Sequence, residues 1–151
     1  MRPLTFATEP AALVADDVLG LAIEHNAEAG FLSGAHLDIN VDFYIEAERV
    51  GVVEIFTARD PAGALVGYAV FAHSKHLHYG IRIASQDVLY MARPWRRHSL
   101  EFMRWTDEQL FARGVERIFR ASTSRAPYGI VLERMGYERD AVLYVRTAPK
   151  R

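Results

Sequence analysis

The apolar positions along the chain change period several times, and each change marks an element. "PLTFA" alternates weakly and predicts a first strand. "EPAALVADDVLGLAIEHNAEAG" is rich in Ala, Leu and Glu, with Pro10 near its start and Gly30 at its end, which predicts a helix. "VDFYIEAERVG" predicts a second, shorter one. "VVEIFTAR" and "ALVGYAVFAHS" carry β-branched and aromatic residues and are joined by "DPAG", a turn by its chemistry, so together they predict a hairpin. After "KHLHYG", the run "IRIASQDVLYMA" is too long for one regular strand unless it bulges near Ser85 to Asp87. Pro94 ends it.

"SLEFMRWTDEQLFARG" repeats apolar residues at Phe102, Met103, Leu110 and Phe111 and stops at Gly114, the pattern of a helix lying on a sheet. "VERIFRAS" predicts another strand, "PYGIVLERMG" a short helix closed by Gly136, and "AVLYVRTA" a last strand. The order strand, helix, helix, three strands, helix, strand, helix, strand predicts an α/β mixture with helices covering an open sheet of about six strands. No repeat, linker or low-complexity segment interrupts it.

The length of 151 residues predicts a single domain, 1–151. Half the residues are apolar and a quarter charged, with a formal net charge of −1, the profile of a soluble globular protein. The chain has no cysteine, which excludes disulfides, thiolate nucleophiles and cysteine-ligated zinc and fits a reducing compartment. No apolar run approaches the roughly 20 residues of a spanning helix, and "MRPLTFATEP" lacks the apolar stretch of a signal peptide. The expectation is a cytoplasmic protein that is not membrane-embedded.

The small net charge hides an asymmetry. Residues 1–92 hold 5 Lys/Arg against 12 Asp/Glu, and residues 93–151 hold 13 against 7. An anionic ligand is drawn to the second part. The basic residues concentrate in "RPWRRHSL", Arg93 to Leu100, where a strand hands over to the first turn of a helix. Unpaired backbone N–H groups and the positive end of the dipole make such a point an anion site, and the arginines strengthen it.

"DVLYMARPWRRHSLEFMRWTDEQLFARGVERIF" followed by "PYGIVLERMGYE" resembles the long central strand, pyrophosphate loop, helix, strand and helix of the GNAT family, the acetyl-CoA-dependent N-acetyltransferases, in particular its small phage-encoded members. The resemblance covers nearly the whole chain. It implies a GNAT-like acyl-CoA N-acyltransferase fold with helices on both faces of a mixed sheet, and acetyl-CoA as cosubstrate. It implies that Arg96, Arg97, His98, Ser99 and Leu100 hold the pyrophosphate, and that Leu89, Tyr90 and Met91 pair their backbone with the pantetheine arm. In the family pattern this loop carries two glycines; here Ser99 and Glu101 stand at those positions. Serine is small and a good N-cap, whereas a carboxylate at Glu101 repels a pyrophosphate if it points the same way. The tyrosine that many members use to protonate the departing thiolate is replaced by Leu132, leaving Tyr128, one turn earlier, as the nearby substitute or as a packing residue with a solvated hydroxyl.

A protonated amine acceptor requires a base. Asp87, in the expected bulge, is a candidate base or cation holder, or else a residue bonding to local backbone. His76 and His78, with His73 and Tyr79 nearby, are candidates for a proton relay, their alternative being solvent-exposed loop histidines. The phage-type resemblance adds weight to both, since its members carry a similar "HxHY" phrase there. A metal site is not expected, because no third ligand is singled out. The resulting function is transfer of an acetyl group from acetyl-CoA to the primary amine of a small molecule or protein. Acidic residues such as Asp38, Asp42 and Glu46 suit a cationic acceptor or form a solvated helix face. The alternative is a catalytically degenerate binding or accessory protein of the same fold. Nucleic acid is not an expected partner, since Glu101, Asp107, Glu108 and Glu116 interleave with the arginines. Edge strands in this family often pair across a twofold axis, which implies a homodimer.

Overall fold

The computed structural model describes residues 4–29 and 36–149. It contains β1 (Thr5–Thr8), α1 (Ala11–Ala29), α2 (Val41–Arg49), β2 (Val53–Arg59), β3 (Leu65–Lys75), β4 (Arg82–Met91), a 3-10 turn (Arg93–His98), α3 (Ser99–Ala112), β5 (Arg117–Phe119) and α4 (Gly129–Arg134). The sheet runs β1-β2-β3-β4-β5; the first four strands are antiparallel and β5 joins β4 in parallel.

Several helix boundaries have an identifiable cause. The side chain of Asn40 accepts from the Phe43 N–H at 3.0 Å and caps α2. The first N–H of α1, on Ala11, is met from outside the helix by the Glu48 carboxylate of α2 at 3.0 Å, which ties the two helices together. Gly114 and Gly136 take φ of +85° and +94° just past α3 and α4, a backbone that glycine adopts without a Cβ penalty. In the β2–β3 turn Asp60 accepts from the backbone N–H of Ala62 and Ala64, both at 2.9 Å.

The two sheet faces carry different cores. Phe102 and Leu110 of α3 pack on Phe56, Ala69, Phe71, Ala84 and Met91. Val14, Leu21 and Ala22 of α1 pack on Ile55, Tyr68, Val70 and Tyr90. Full burial of a side chain such as Phe56 or Phe102 stabilises the fold by about 1.5–3 kcal/mol. Gly67 lets β4 close on β3, because a Cβ there would lie 2.8 Å from Met91 Sδ.

The bulge expected in the long central strand is present. Val70 pairs with Val88 and Phe71 with Gln86, so Asp87 stands unmatched between them. The extra residue shifts the phase of the strand. Ala84 faces α3, whereas Val88 and Tyr90 face α1 and Leu89 and Met91 face α3.

One expectation needs correction. "AVLYVRTA" does not form a sixth strand: residues 138–149 carry no strand, and Leu143, Tyr144 and Val145 are exposed at 84–90 %. β5, at three residues, offers too short a ladder to order another neighbour. The segment after β4, Arg93–His98, winds into a 3-10 turn with Pro94 at its start.

Candidate active site

β4 separates from its parallel neighbour soon after it begins. β5 pairs with it only from Ile83 to Ser85, whereas β3 stays paired on the other side as far as Met91. Among the described residues no strand flanks the β5 side of β4 beyond Ser85. A fork opens there, and the bulge lies at its apex.

Asp87 and Val88 are consecutive yet line the same cavity, as the phase shift requires. This cavity, of about 250 Å³, lies between α1, the segment 36–39, α2 and the α1-facing side of β2, β3 and β4. Asp87 is open to solvent through it, but the surrounding protein withdraws enough water to raise its carboxyl above the usual value. Tyr44 and Tyr68 line the same space. Burial first, and the nearby Asp87 charge with it, push both phenols upward, so they stay protonated. His25, stacked on Tyr90 at 5.0 Å, is held below its usual value by burial and stays neutral. A carboxylate so placed can accept a proton or hold a cation.

On the other face of the fork, Gln86 points toward α3 and α4. Its Nε2 donates to the Tyr128 hydroxyl at 3.0 Å, while its Oε1 accepts from Arg120. The Arg120 side chain is fully buried; it also donates to Asp107 at 2.6 Å, Thr106 Oγ at 2.8 Å, the Met103 carbonyl at 3.3 Å and the Tyr137 hydroxyl at 2.9 Å. Tyr128 stands just ahead of α4, with its own N–H on Ser122 Oγ at 2.9 Å. Since its oxygen accepts from Gln86, its proton is free to be given elsewhere. Leu132, at the position where the resemblance places a tyrosine, is buried in the core.

The basic segment is more self-satisfied than a bare anion site. The N–H of Trp95 bonds the Ala92 carbonyl at 2.8 Å and that of Ser99 bonds Arg96, which uses donors that an open loop would present. His98, not Ser99, occupies the N-cap position of α3, without a capping side-chain bond. Arg96 reaches Glu28 of α1 at 2.6 Å and the Met91 carbonyl at 3.2 Å. Arg93 is 3.6 Å from the same glutamate. Arg97 donates to His98 Nε2 at 3.2 Å, leaving His98 Nδ1 to donate to Glu101 at 3.2 Å. Glu101 thus bonds sideways to the turn, and Leu100 is partly exposed beside it.

The structure therefore brings Asp87, Tyr128 and the backbone of Leu89, Tyr90 and Met91 to one fork, with Arg96 at its far end. It does not bring His76 and His78 there. Both lie in the β3–β4 turn, which Gly80 N–H closes on the His76 carbonyl at 2.8 Å. Arg82 to Asp87 spans roughly 16 Å of strand at about 3.3 Å per residue, so the histidines are remote from the apex. A turn replaces the extended backbone that would have aligned them: the His76 and Tyr79 rings lie tilted to one another at 4.8 Å, and the His78 N–H lies 3.3 Å from His76 Nδ1.

Gln86, Arg120, Tyr44, Tyr68 and His25 were missed in the sequence. Two of them carried a signal: Gln86 adjoins the expected bulge, and Arg120 falls two residues after Ile118, on the inward alternation of a strand.

No family model and no curated protein sequence matches the chain. Solved structures do. An aminoglycoside acetyltransferase from an uncultured soil metagenomic sample superposes with a TM-score of 0.77 at 17 % identity, covering 99 % of this chain and 100 % of that one. A ribosomal-protein-alanine N-acetyltransferase from Brucella melitensis biovar Abortus 2308 gives 0.75 at 16 %, over 97 % and 100 %. Glucosamine-6-phosphate N-acetyltransferase from Arabidopsis thaliana gives 0.71 at 10 %, over 97 % and 99 %. The chain has the GNAT, acyl-CoA N-acyltransferase, fold.

Proposed function

We propose that the protein is an N-acetyltransferase that moves the acetyl group of acetyl-CoA to a primary amine. The observation that carries this is the bulge at Asp87, which sets an unmatched carboxylate at the apex of the β4–β5 fork and at the head of a cavity. The amine enters from the cavity as an ammonium and gives a proton to Asp87, directly or through water. Its nitrogen then attacks the thioester carbon; the C–N bond forms, the C–S bond breaks, the departing thiolate takes the Tyr128 hydroxyl proton, and the second proton lost by the nitrogen passes through water to restore the Tyr128 hydroxyl. Gln86, anchored by Arg120, donates to the Tyr128 oxygen and steadies the phenolate as it forms. A raised carboxyl suits this role, because a base works best when its pKa approaches the working pH. Holding both reactants at the fork supplies much of the rate.

Acetyl-CoA, as substrate, would lie along the open side of β4, with its pyrophosphate against Arg96, Arg97 and His98. Arg96 must first leave Glu28. The solved relatives, which act on an aminoglycoside, a ribosomal-protein alanine and glucosamine 6-phosphate by their names, support amine acetylation as a class and leave the acceptor open.

A second reading is a binding protein that has lost catalysis. It is favoured by the closed 3-10 turn, the Glu28 carboxylate on Arg96 and the absence of glycine at Ser99 and Glu101. Isothermal titration of acetyl-CoA separates the two. Micromolar binding that weakens by about tenfold or more in Arg96→Ala supports the transferase. No heat and no thermal shift at millimolar acetyl-CoA overturns it.

A further inference from the structure

We propose that the acceptor is a small primary monoamine carried on an apolar body, bound ammonium-first against Asp87 with its hydrocarbon end between α1 and the sheet. This rests on the transferase reading above and names the acceptor that reading leaves open.

Chemistry and size both point there. The walls of the cavity are the side chains of Val14, Val18, Ala22, Ile55, Val70 and Val88. The polar lining is Asp87, Asp38, Asn26, His36, Tyr44, Tyr68 and His25. Asp87 brings a negative charge to the bulge, Asp38 a second among the lining residues, and Tyr44, Tyr68 and His25 are neutral. An ammonium has three N–H donors and no acceptor. A carboxylate flanked by two protonated phenols is a matching set of acceptors, and neutral His25 adds no repelling charge. The Tyr68 hydroxyl bonds His25 Nδ1 at 3.5 Å, and its oxygen keeps a lone pair that can accept from the ammonium.

The volume of about 250 Å³ is the liquid share of roughly eight waters, below the range that holds a drug-sized ligand. It suits a body of roughly ten non-hydrogen atoms, such as an arylalkylamine. A polyamine or amino sugar would set those of its further ammonium or hydroxyl groups that do not reach Asp38, Asn26 or His36 against valine and isoleucine, and that burial is penalised. A bare short amine would leave the apolar walls wet and forgo the burial that favours a ring.

The experiment is titration calorimetry of 2-phenylethylamine, ethylamine and spermidine into the full chain, without acetyl-CoA. It is run on the wild type, on Asp87→Asn and on Val18→Phe, with far-UV circular dichroism to confirm that each variant folds. Thiol release from acetyl-CoA is then measured with the same three amines. The expected result is 2-phenylethylamine binding at least about tenfold tighter than ethylamine or spermidine. Asp87→Asn, whose side chain is solvent-open and not needed for packing, should weaken it by about tenfold or more. Val18→Phe, which narrows the cavity, should weaken 2-phenylethylamine more than ethylamine. Spermidine or ethylamine binding as tightly as 2-phenylethylamine, or an Asp87→Asn variant that binds unchanged, overturns the proposal. Binding in the expected order with no thiol release sustains the ligand class of the cavity and removes the transferase reading. Thiol release with spermidine and none with 2-phenylethylamine does the reverse.

Discussion

Arg120→Met is expected to destabilise the protein by about 3 kcal/mol. The guanidinium is fully buried and donates to five oxygens, those of Asp107, Thr106, Met103, Tyr137 and Gln86. Methionine preserves an apolar stem near Phe71, whose ring centroid lies 5.0 Å from the guanidinium carbon, but it removes every donor. Asp107 then retains the Tyr137 hydroxyl at 2.9 Å. Removing one partner of a buried ion pair costs about 3–5 kcal/mol, because the other charge is left without compensation. The residual hydroxyl and the 13 % exposure of the Asp107 side chain place this case at the lower end. At about 2–4 °C per kcal/mol for a chain of this size, the melting temperature falls by about 6–12 °C. Urea titration measures the loss directly, with an unchanged m-value confirming that the native state is otherwise intact. Combining Arg120→Met with Asp107→Leu removes both charges and is expected to recover about half of the loss or more. A single-variant loss below about 1 kcal/mol, the range of exposed ion pairs, would refute the argument. So would a double variant no more stable than the single one.

Four further outcomes are expected. With Asp87 as base, kcat/KM for amine acetylation should fall on the acid side along a limb whose apparent pKa lies above 3.8, and Asp87→Asn should lower kcat/KM by about a hundredfold or more; a limb that persists in the variant belongs to another group. Because the folded carboxyl is raised, its stabilising contribution is present below its unfolded value and lost as pH rises through the folded one, so Asp87→Asn should melt no lower than wild type at pH 7. Glu28→Gln releases Arg96 and should tighten acetyl-CoA binding by calorimetry; weaker binding would show that the glutamate orients the arginine for the ligand. Burial lowers His25 and His73, whose neutral forms therefore stabilise the fold above pH 6.5, so the melting temperature should drop as pH falls below that value and drop less in His25→Gln.

The elements that the hydrophobic periods foretold are those whose packing is decided locally. α3 has an apolar stripe and a stop glycine, and it forms over Ser99–Ala112. The bulge was legible because "IRIASQDVLYMA" exceeds the length of a regular strand. The last strand was not, because "AVLYVRTA" has strand composition, and composition cannot tell whether a neighbour of adequate length awaits it. The 3-10 turn was hidden for a different reason. Its backbone bonds depend on Pro94 and on Glu28 holding Arg96 from 68 residues away. The pairing of Gln86 with Tyr128 and Arg120 joins residues 42 and 34 positions apart, and no local pattern encodes such a meeting. His76 and His78 share a face only on extended backbone, and the turn that holds them is set by Gly80 bonding back to His76.

The alternation around the bulge carries a consequence for how this strand tolerates change. Gln86 faces α3, Val88 faces α1, Leu89 faces α3 and Tyr90 faces α1, so the sequence without Asp87 would alternate without a fault. Deleting that one codon is expected to yield a folded protein in which β3 and β4 run as an unbroken ladder, every remaining side chain keeping its face. The carboxylate proposed as the base would vanish together with the kink that presents it. If Asp87 is the base proposed above, catalytic capacity and architecture are separable at the level of a single inserted residue, and a lineage could gain or lose the chemistry in one step while the fold stays as it is.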